Sequence, residues 1–174
     1  MWLWTNWPRV WKVVITTALV VLIALPLTFY SWIAQPFQAR GASMAPTLKD
    51  GQRFFVNKIA YKNDLPQRGD IVVFKNPQNP DKELVKRITG LPNEQIKIQN
   101  GQVYINDGLY REFYLMNGDG APTYPGKFLE ENKTFSIPAD QYFVMGDDRE
   151  HSLDSRDFGL VPKTNIVGQY WFKY

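Results

Sequence analysis

The sequence predicts a mainly β domain following one N-terminal transmembrane helix. Three observations lead there. One apolar run without a charged residue, Val13 to Ala34, lies near the start. After it come short runs rich in β-branched and aromatic residues, separated by Gly, Pro, Asn and Asp. No amphipathic helical pattern of useful length follows, and no heptad, internal repeat, low-complexity run or interdomain linker is present.

The apolar run is the first element. Met1 to Lys12 carries Trp2, Trp4, Trp7 and Trp11 with Arg9 and Lys12. Trp favours the membrane–water boundary, where its ring is buried and its N–H stays wet. The 22 positions that follow would form a helix about 33 Å long, enough for a hydrocarbon core of about 30 Å. Pro26 would kink it, and Tyr30 and Trp32 fall where the far boundary should be. A cleaved leader has a shorter apolar core of about 7–15 residues, and a buried soluble helix would show a polar stripe or be shorter. Arg9 and Lys12 place the N-terminus in the cytoplasm, with Arg40 and Lys49 opposing that bias. Residues 1–34 are thus expected to form a cytoplasmic N-terminus and single membrane anchor, and 35–174 an extracytoplasmic domain.

The predicted strands follow in order. They are Arg53 to Ile59, Ile71 to Phe74 after the turn Arg68-Gly69-Asp70, and Glu83 to Thr89. Asn76 to Asp81, with two Pro and two Asn, reads as a loop. Ile96 to Gln99 and Gln102 to Ile105 flank Asn100-Gly101, the strongest short hairpin signal. Residues 106–133 read as irregular, and Phe135 to Ile137, Gln141 to Met145 and Ile166 to Phe172 as strands.

Composition removes several kinds of chemistry. The 174 residues include no Cys, so disulfides and thiolate metal sites are excluded. One His, His151, cannot make a zinc site that needs two or three. The net charge of +3 belongs to residues 1–50, which carry Arg9, Lys12, Arg40 and Lys49 against Asp50. The rest is neutral, with 16 basic and 16 acidic residues, so nothing supports nucleic-acid binding.

Three stretches carry chemistry. In Arg40-Gly41-Ala42-Ser43-Met44-Ala45-Pro46-Thr47-Leu48, small neighbours leave the Ser43 hydroxyl open and Pro46 stiffens the chain. Ser43 reads either as an ordinary turn serine or as a nucleophile. In Leu84-Val85-Lys86-Arg87-Ile88-Thr89-Gly90, alternation sets Lys86 on one face with Leu84 and Ile88, and Val85 with Arg87 on the other. Lys86 reads either as an exposed strand lysine or as a base neutralised by burial, because desolvation penalises the ammonium. A free lysine is neutral only about once in 2,500 at pH 7. The third stretch, Met145-Gly146-Asp147-Asp148-Arg149-Glu150-His151-Ser152-Leu153-Asp154-Ser155-Arg156, is polar and acidic. By itself it reads as a surface loop.

Together and in this order, the three resemble the signature boxes of type I signal peptidases, membrane-bound serine proteases with a Ser/Lys dyad. The resemblance runs from Pro36 to the C-terminus, with a variable section from about Gln95 to Asp140. It implies a signal-peptidase-like β catalytic domain, with Ser43 as nucleophile and Lys86 as general base. It implies that Ser152 and Asp154 orient the lysine, that Arg156 pairs with Asp154, and that Asp147 pairs with Arg87, both pairs being structural. Phe37, Ala39 and Val85 match positions lining the family's shallow specificity pockets, with Pro36–Ala39 and Glu83–Val85 clamping an extended Ala-X-Ala substrate.

Gly41 stands where Gram-negative members carry a Ser that helps the oxyanion, as in many Gram-positive members, so backbone N–H groups would serve instead. Asp148 replaces the usual Asn and brings a carboxylate that could bind Lys86. Only about 47 residues lie between Glu94 and Tyr142, which makes this a compact Gram-positive-like form. The expected partners are signal-peptide-bearing preproteins and membrane lipid, with no nucleic acid. No cofactor or metal is expected. Three alternatives stay open: a peptidase dedicated to a pilin or conjugation-machinery subunit, a silent membrane scaffold of this fold, and a Ser/His hydrolase using His151.

Overall fold

The computed structural model describes residues 8–115 and 122–174. The Trp-rich positions 2, 4 and 7 lie outside them, as do 116–121 of the irregular section. The chain divides into two compact units, Met1–Gln35 and Pro36–Tyr174.

The first unit is helix α1, Arg9–Ile33, 25 residues without an acidic first turn or a basic last turn. Val13, Val20, Leu22 and Leu25 are largely exposed, so the helix hides little of its apolar surface within the unit. Among the described residues no helix is long and apolar enough to cross a membrane. α1 stands where the spanning helix was expected over Val13 to Ala34, without meeting that requirement among its described residues.

The chain after α1 is β-rich. Its strands are β1 Ala34–Gln38, β2 Arg53–Asn57, β3 Ile71–Asn76, β4 Asn79–Gly90, β5 Gln95–Gln99, β6 Gln102–Ile105, β7 Gly108–Leu109, β8 Phe135–Ser136, β9 Gln141–Met145, β10 Val161–Pro162 and β11 Ile166–Lys173. One sheet runs β1-β2-β11-β3-β4-β9-β10 and the other β7-β6-β5-β8. A short helix α2, Ser155–Phe158, and a 3-10 turn, Lys163–Asn165, complete it.

The predicted strands are all present, shifted by a few residues at their ends. The predicted hairpin is the β5–β6 pair, with Asn100 at φ +49° and Gly101 at +72°. A two-residue turn with both φ positive matches strand twist, and Asn and Gly tolerate that region best.

The loop expected over Asn76 to Asp81 is much shorter. β3 and β4 form a long hairpin with Asn76 opposite Asn79, leaving only residues 77 and 78 between them. Pro80 is tolerated because β4 meets β9 only from Arg87 onward. The earlier half of β4 has strand pairing on one side alone, so a missing N–H costs no ladder bond.

Alternation along these strands builds two cores on the large sheet. Val73 and Ile71 of β3 pack with Met44, Leu48, Phe54 and Val56. Val72 and Phe74 pack with Ile88, Tyr142, Val144, Phe158 and Val161. A third core, with Ile96, Ile98, Val103, Leu129 and Ile137, belongs to the small sheet and takes Phe143 and Met145. β9 therefore serves two cores at once, which is why Tyr142-Phe143-Val144-Met145 is a continuous apolar run.

Phe74 is fully buried, with its ring 6.1 Å from that of Phe158. Phe74→Ala is expected to lower unfolding free energy by about 3–5 kcal/mol in urea titrations. Phe113→Ala, at a side chain 77% exposed, should change it by less than about 0.5 kcal/mol.

Candidate active site

Ser43 is displayed by its neighbours. A tight turn, with Ala45 N–H on Ala42 O at 2.7 Å and Leu48 N–H on Met44 O at 2.8 Å, drives Met44 and Leu48 into the first core. Ser43, between them and the open side, stays half-buried. The ends of the segment are tied by Ala39 N–H to Gln52 O and Gly51 N–H to Ala39 O, each 2.9 Å. Gly41, at φ +85°, donates its N–H to Asp50 Oδ1 at 2.7 Å.

Lys86 comes from β4, opposite Val72 of β3. Leu84 and Ile88 pack with Val72, and Val85 packs on the other core, as alternation predicts. Lys86 is 4% exposed, and its Nζ stands 2.5 Å from Ser43 Oγ. Burial pulls its pKa down from the usual lysine value to about 8, against the opposing pull of Asp154 and Asp147, with Arg156 assisting. About one amine in ten is then neutral at pH 7.

Both neighbouring carboxylates are already engaged. Asp147 accepts Arg87 Nε at 2.9 Å and Nη2 at 2.6 Å, together with the Thr47 hydroxyl at 2.6 Å. Asp154 accepts Arg156 Nε at 2.8 Å, Arg156 Nη2 at 2.9 Å and the Gly146 N–H at 3.0 Å. It also caps α2. Burial alone would raise the Asp154 pKa, but Arg156 and these donors outweigh it and hold the carboxyl below the usual range. The Ser152 hydroxyl assists without reaching hydrogen-bond geometry to any described group.

Gly146 sits where this loop meets the serine. A Cβ there would run into Ser43 O and Ser152 Oγ, so only Gly permits the approach. Asp148 N–H donates to Ser43 O at 3.1 Å. Its carboxylate turns to His151, 3.1 Å from Nδ1, and is not among the groups acting on Lys86. The carboxylate expected as a rival for Lys86 thus has another partner. His151 remains largely exposed.

A cleft of about 780 Å³ opens beside Ser43 and Lys86. Phe37 and Val85 line it, with Phe54, Val73 and His151. Ala39 does not: it is buried in the core beneath. One wall includes β1, the outermost strand of its sheet, and the other the half of β4 that lacks a second strand partner. Both walls can accept an extended chain.

Sequence reasoning missed part of this constellation. Thr47 reads as an ordinary residue after a proline, and nothing in its surroundings in the chain signals its bond to Asp147. Glu112 and Tyr114 lie in the section read as irregular. Glu112 is buried and forms a two-oxygen ion pair with Arg149.

A β scaffold with a half-buried serine, a desolvated lysine and an extended open cleft defines a hydrolase class that handles polypeptide chains. Comparison gives the family. The model for signal peptidase, peptidase S26, matches residues 10–174, so the chain belongs to that family, whose members are serine endopeptidases. Signal peptidase I U of Bacillus subtilis is 37% identical over 158 residues, covering 90% of this chain and 84% of its own length. Signal peptidase IB of Staphylococcus aureus is 36% identical over 173 residues, covering 94% and 87%. A crystal structure of a signal peptidase I from Enterococcus faecalis superposes with a TM-score of 0.51 at 30% identity, covering 61% of this chain and 97% of that one.

Gly146→Ala is expected to lower peptide cleavage by on the order of 10–100-fold, because the added methyl displaces Ser43. Circular dichroism should show a retained fold.

Proposed function

We propose that the protein is a membrane-anchored serine endopeptidase that removes signal peptides after Ala-X-Ala, with Ser43 as nucleophile and Lys86 as general base. The observation that carries this is the 2.5 Å approach of a desolvated Lys86 amine to the Ser43 hydroxyl. The neutral amine accepts the hydroxyl proton as Oγ attacks the scissile carbonyl. Backbone N–H groups, that of Ser43 among them, receive the oxyanion. The Lys86 ammonium then returns a proton to the leaving amine, and water resolves the acyl-enzyme with Lys86 again as base.

Ser152 and Asp154 orient the lysine and the loop around it. Arg156 and Arg87 neutralise Asp154 and Asp147. Phe37 and Val85 bound the pocket for small side chains, and Ala39 supports its floor from the core.

Residues 1–34 form the anchor in this reading, and 35–174 the catalytic domain on the outer or periplasmic face. What supports the anchor is the sequence: the 22 positions from Val13 to Ala34 carry no charge, and as a helix they would be about 33 Å long against a hydrocarbon core of about 30 Å. Among the described side chains of α1, Val13, Val20, Leu22 and Leu25 are exposed.

The test is cleavage of a preprotein bearing Ala-X-Ala in detergent. Wild type should cut after the second Ala. Ser43→Ala and Lys86→Ala should lose at least about 1,000-fold while keeping their fold, and His151→Ala should stay within about threefold. Lys86 acts when deprotonated, so kcat/KM should rise with pH, about fivefold between pH 7 and 8, and level off above. Cutting that survives Lys86→Ala but not His151→Ala overturns the dyad.

Topology is tested separately. The chain has no Cys, so single cysteines report cleanly. An impermeant maleimide on whole cells should label Lys133→Cys directly and Thr5→Cys only after permeabilisation. Equal labelling of both in intact cells overturns the orientation.

A further inference from the structure

The segment before residue 116, read from sequence as irregular, sends two side chains under the catalytic strands. The Tyr114 ring lies beneath the Arg87 guanidinium, with Cζ 4.1 Å from the ring centre. Its hydroxyl donates to Glu112, whose carboxylate holds the buried Arg149. Arg149 Nε donates to Gly146 O at 3.0 Å, and Nη1 to the Thr123 hydroxyl at 2.6 Å. Gly146 precedes Asp147, and Asp147 returns to Arg87 through two bonds. These contacts close a ring: Arg87, Tyr114, Glu112, Arg149, Gly146, Asp147. Two of its members adjoin the site directly, Arg87 beside Lys86 in sequence and Gly146 against Ser43.

We propose that Tyr114 is a positioning residue, whose ring holds the Arg87 fork so that the Asp147 carboxylate is engaged by Arg87 and not by Lys86. This inference rests on the reading of Lys86 as the base. The charged groups acting on Lys86 are Asp154, Asp147 and Arg156, and those around Arg87 are Asp147, Tyr114 and Tyr110. Asp154 has its own arginine, Arg156, which bonds it through two nitrogens, whereas Tyr114 lies against the arginine of Asp147, so Asp147 is the carboxylate that Tyr114 bears on. A guanidinium over a ring is held by the negative π face, which a leucine lacks and a phenylalanine keeps. Loosening Arg87 leaves more of the Asp147 charge to stabilise the Lys86 ammonium. The base then titrates higher.

The experiment uses the full chain in detergent. The pH dependence of kcat/KM is measured for wild type, Tyr114→Leu and Tyr114→Phe. In a Ser43→Ala background, the Lys86 amine is titrated by ¹⁵N NMR with and without Tyr114→Leu. Tyr114→Leu should move the rising limb up by about half a unit or more, which is about a threefold loss at pH 7 that vanishes on the high-pH plateau. Tyr114→Phe should keep the wild-type limb, and the Lys86 resonance should track the limb in each case. A Tyr114→Leu enzyme that is folded and loses rate equally at every pH, or loses none, overturns the inference while leaving Lys86 as base. A wild-type limb that does not follow the Lys86 titration overturns the base reading and this inference with it.

Discussion

The site depends on one constraint: an amine is buried against a hydroxyl without a carboxylate of its own. A buried lysine ordinarily finds a counter-ion, and finding one would keep it protonated. Two carboxylates act on Lys86, and each is engaged by an arginine. A guanidinium is a permanent cation, so each carboxylate is matched by a fixed charge. Desolvation then dominates at Lys86. The fold gives up stability for this. Lys86 binds its proton less tightly in the folded than in the unfolded chain, so the penalty is full below about pH 8. It fades as pH rises from there towards the ordinary lysine value.

The same sheet that buries the amine leaves the groove open. β4 is covered by β9 only from Arg87 onward, and β1 ends its sheet. Unpaired strand edges are an aggregation hazard that most proteins blunt. Here they face a cleft whose rim carries Arg40, Asp81, Lys82 and Glu83, and charged side chains of both signs discourage edge-to-edge pairing. Lys86 sits next to the residue at which β4 passes from one-sided to two-sided pairing. An amine can therefore be enclosed at the end of a groove that remains open along its length.

Much of the fold was legible because the strands follow local rules. Period-two alternation, the Asn-Gly pair and the unbroken run at β9 each act within a few residues. The misreading at Asn76 to Asp81 has a physical cause. Pro and Asn mark turns unless a strand has a free edge, and whether an edge is free depends on β9, distant in the chain. β1, β7, β10 and α2 were not read from the sequence, since each is too short to show a period. At the site, Ser43, Lys86, Ser152, Asp154, Arg156, Asp147 and Arg87 were named through the resemblance of three boxes. The boxes preserve residue type at fixed spacing. Ala39 was carried over as a pocket residue, whereas here it packs in the core below.

The sequence by itself determined the order of the strands, the position of the apolar helix and which side chains could do chemistry, because these follow from short-range pattern and residue type. Only the tertiary structure decided the charge state of that chemistry. Whether Lys86 is desolvated, that Asp147 takes Arg87, and that Glu112 and Tyr114 lie against Arg149 and Arg87 depend on groups tens of residues apart, while Asp148 turns to His151 and Asp154 to Arg156 within a few residues. Electrostatic energy in a protein interior depends on distance and burial, and spacing along the chain carries neither.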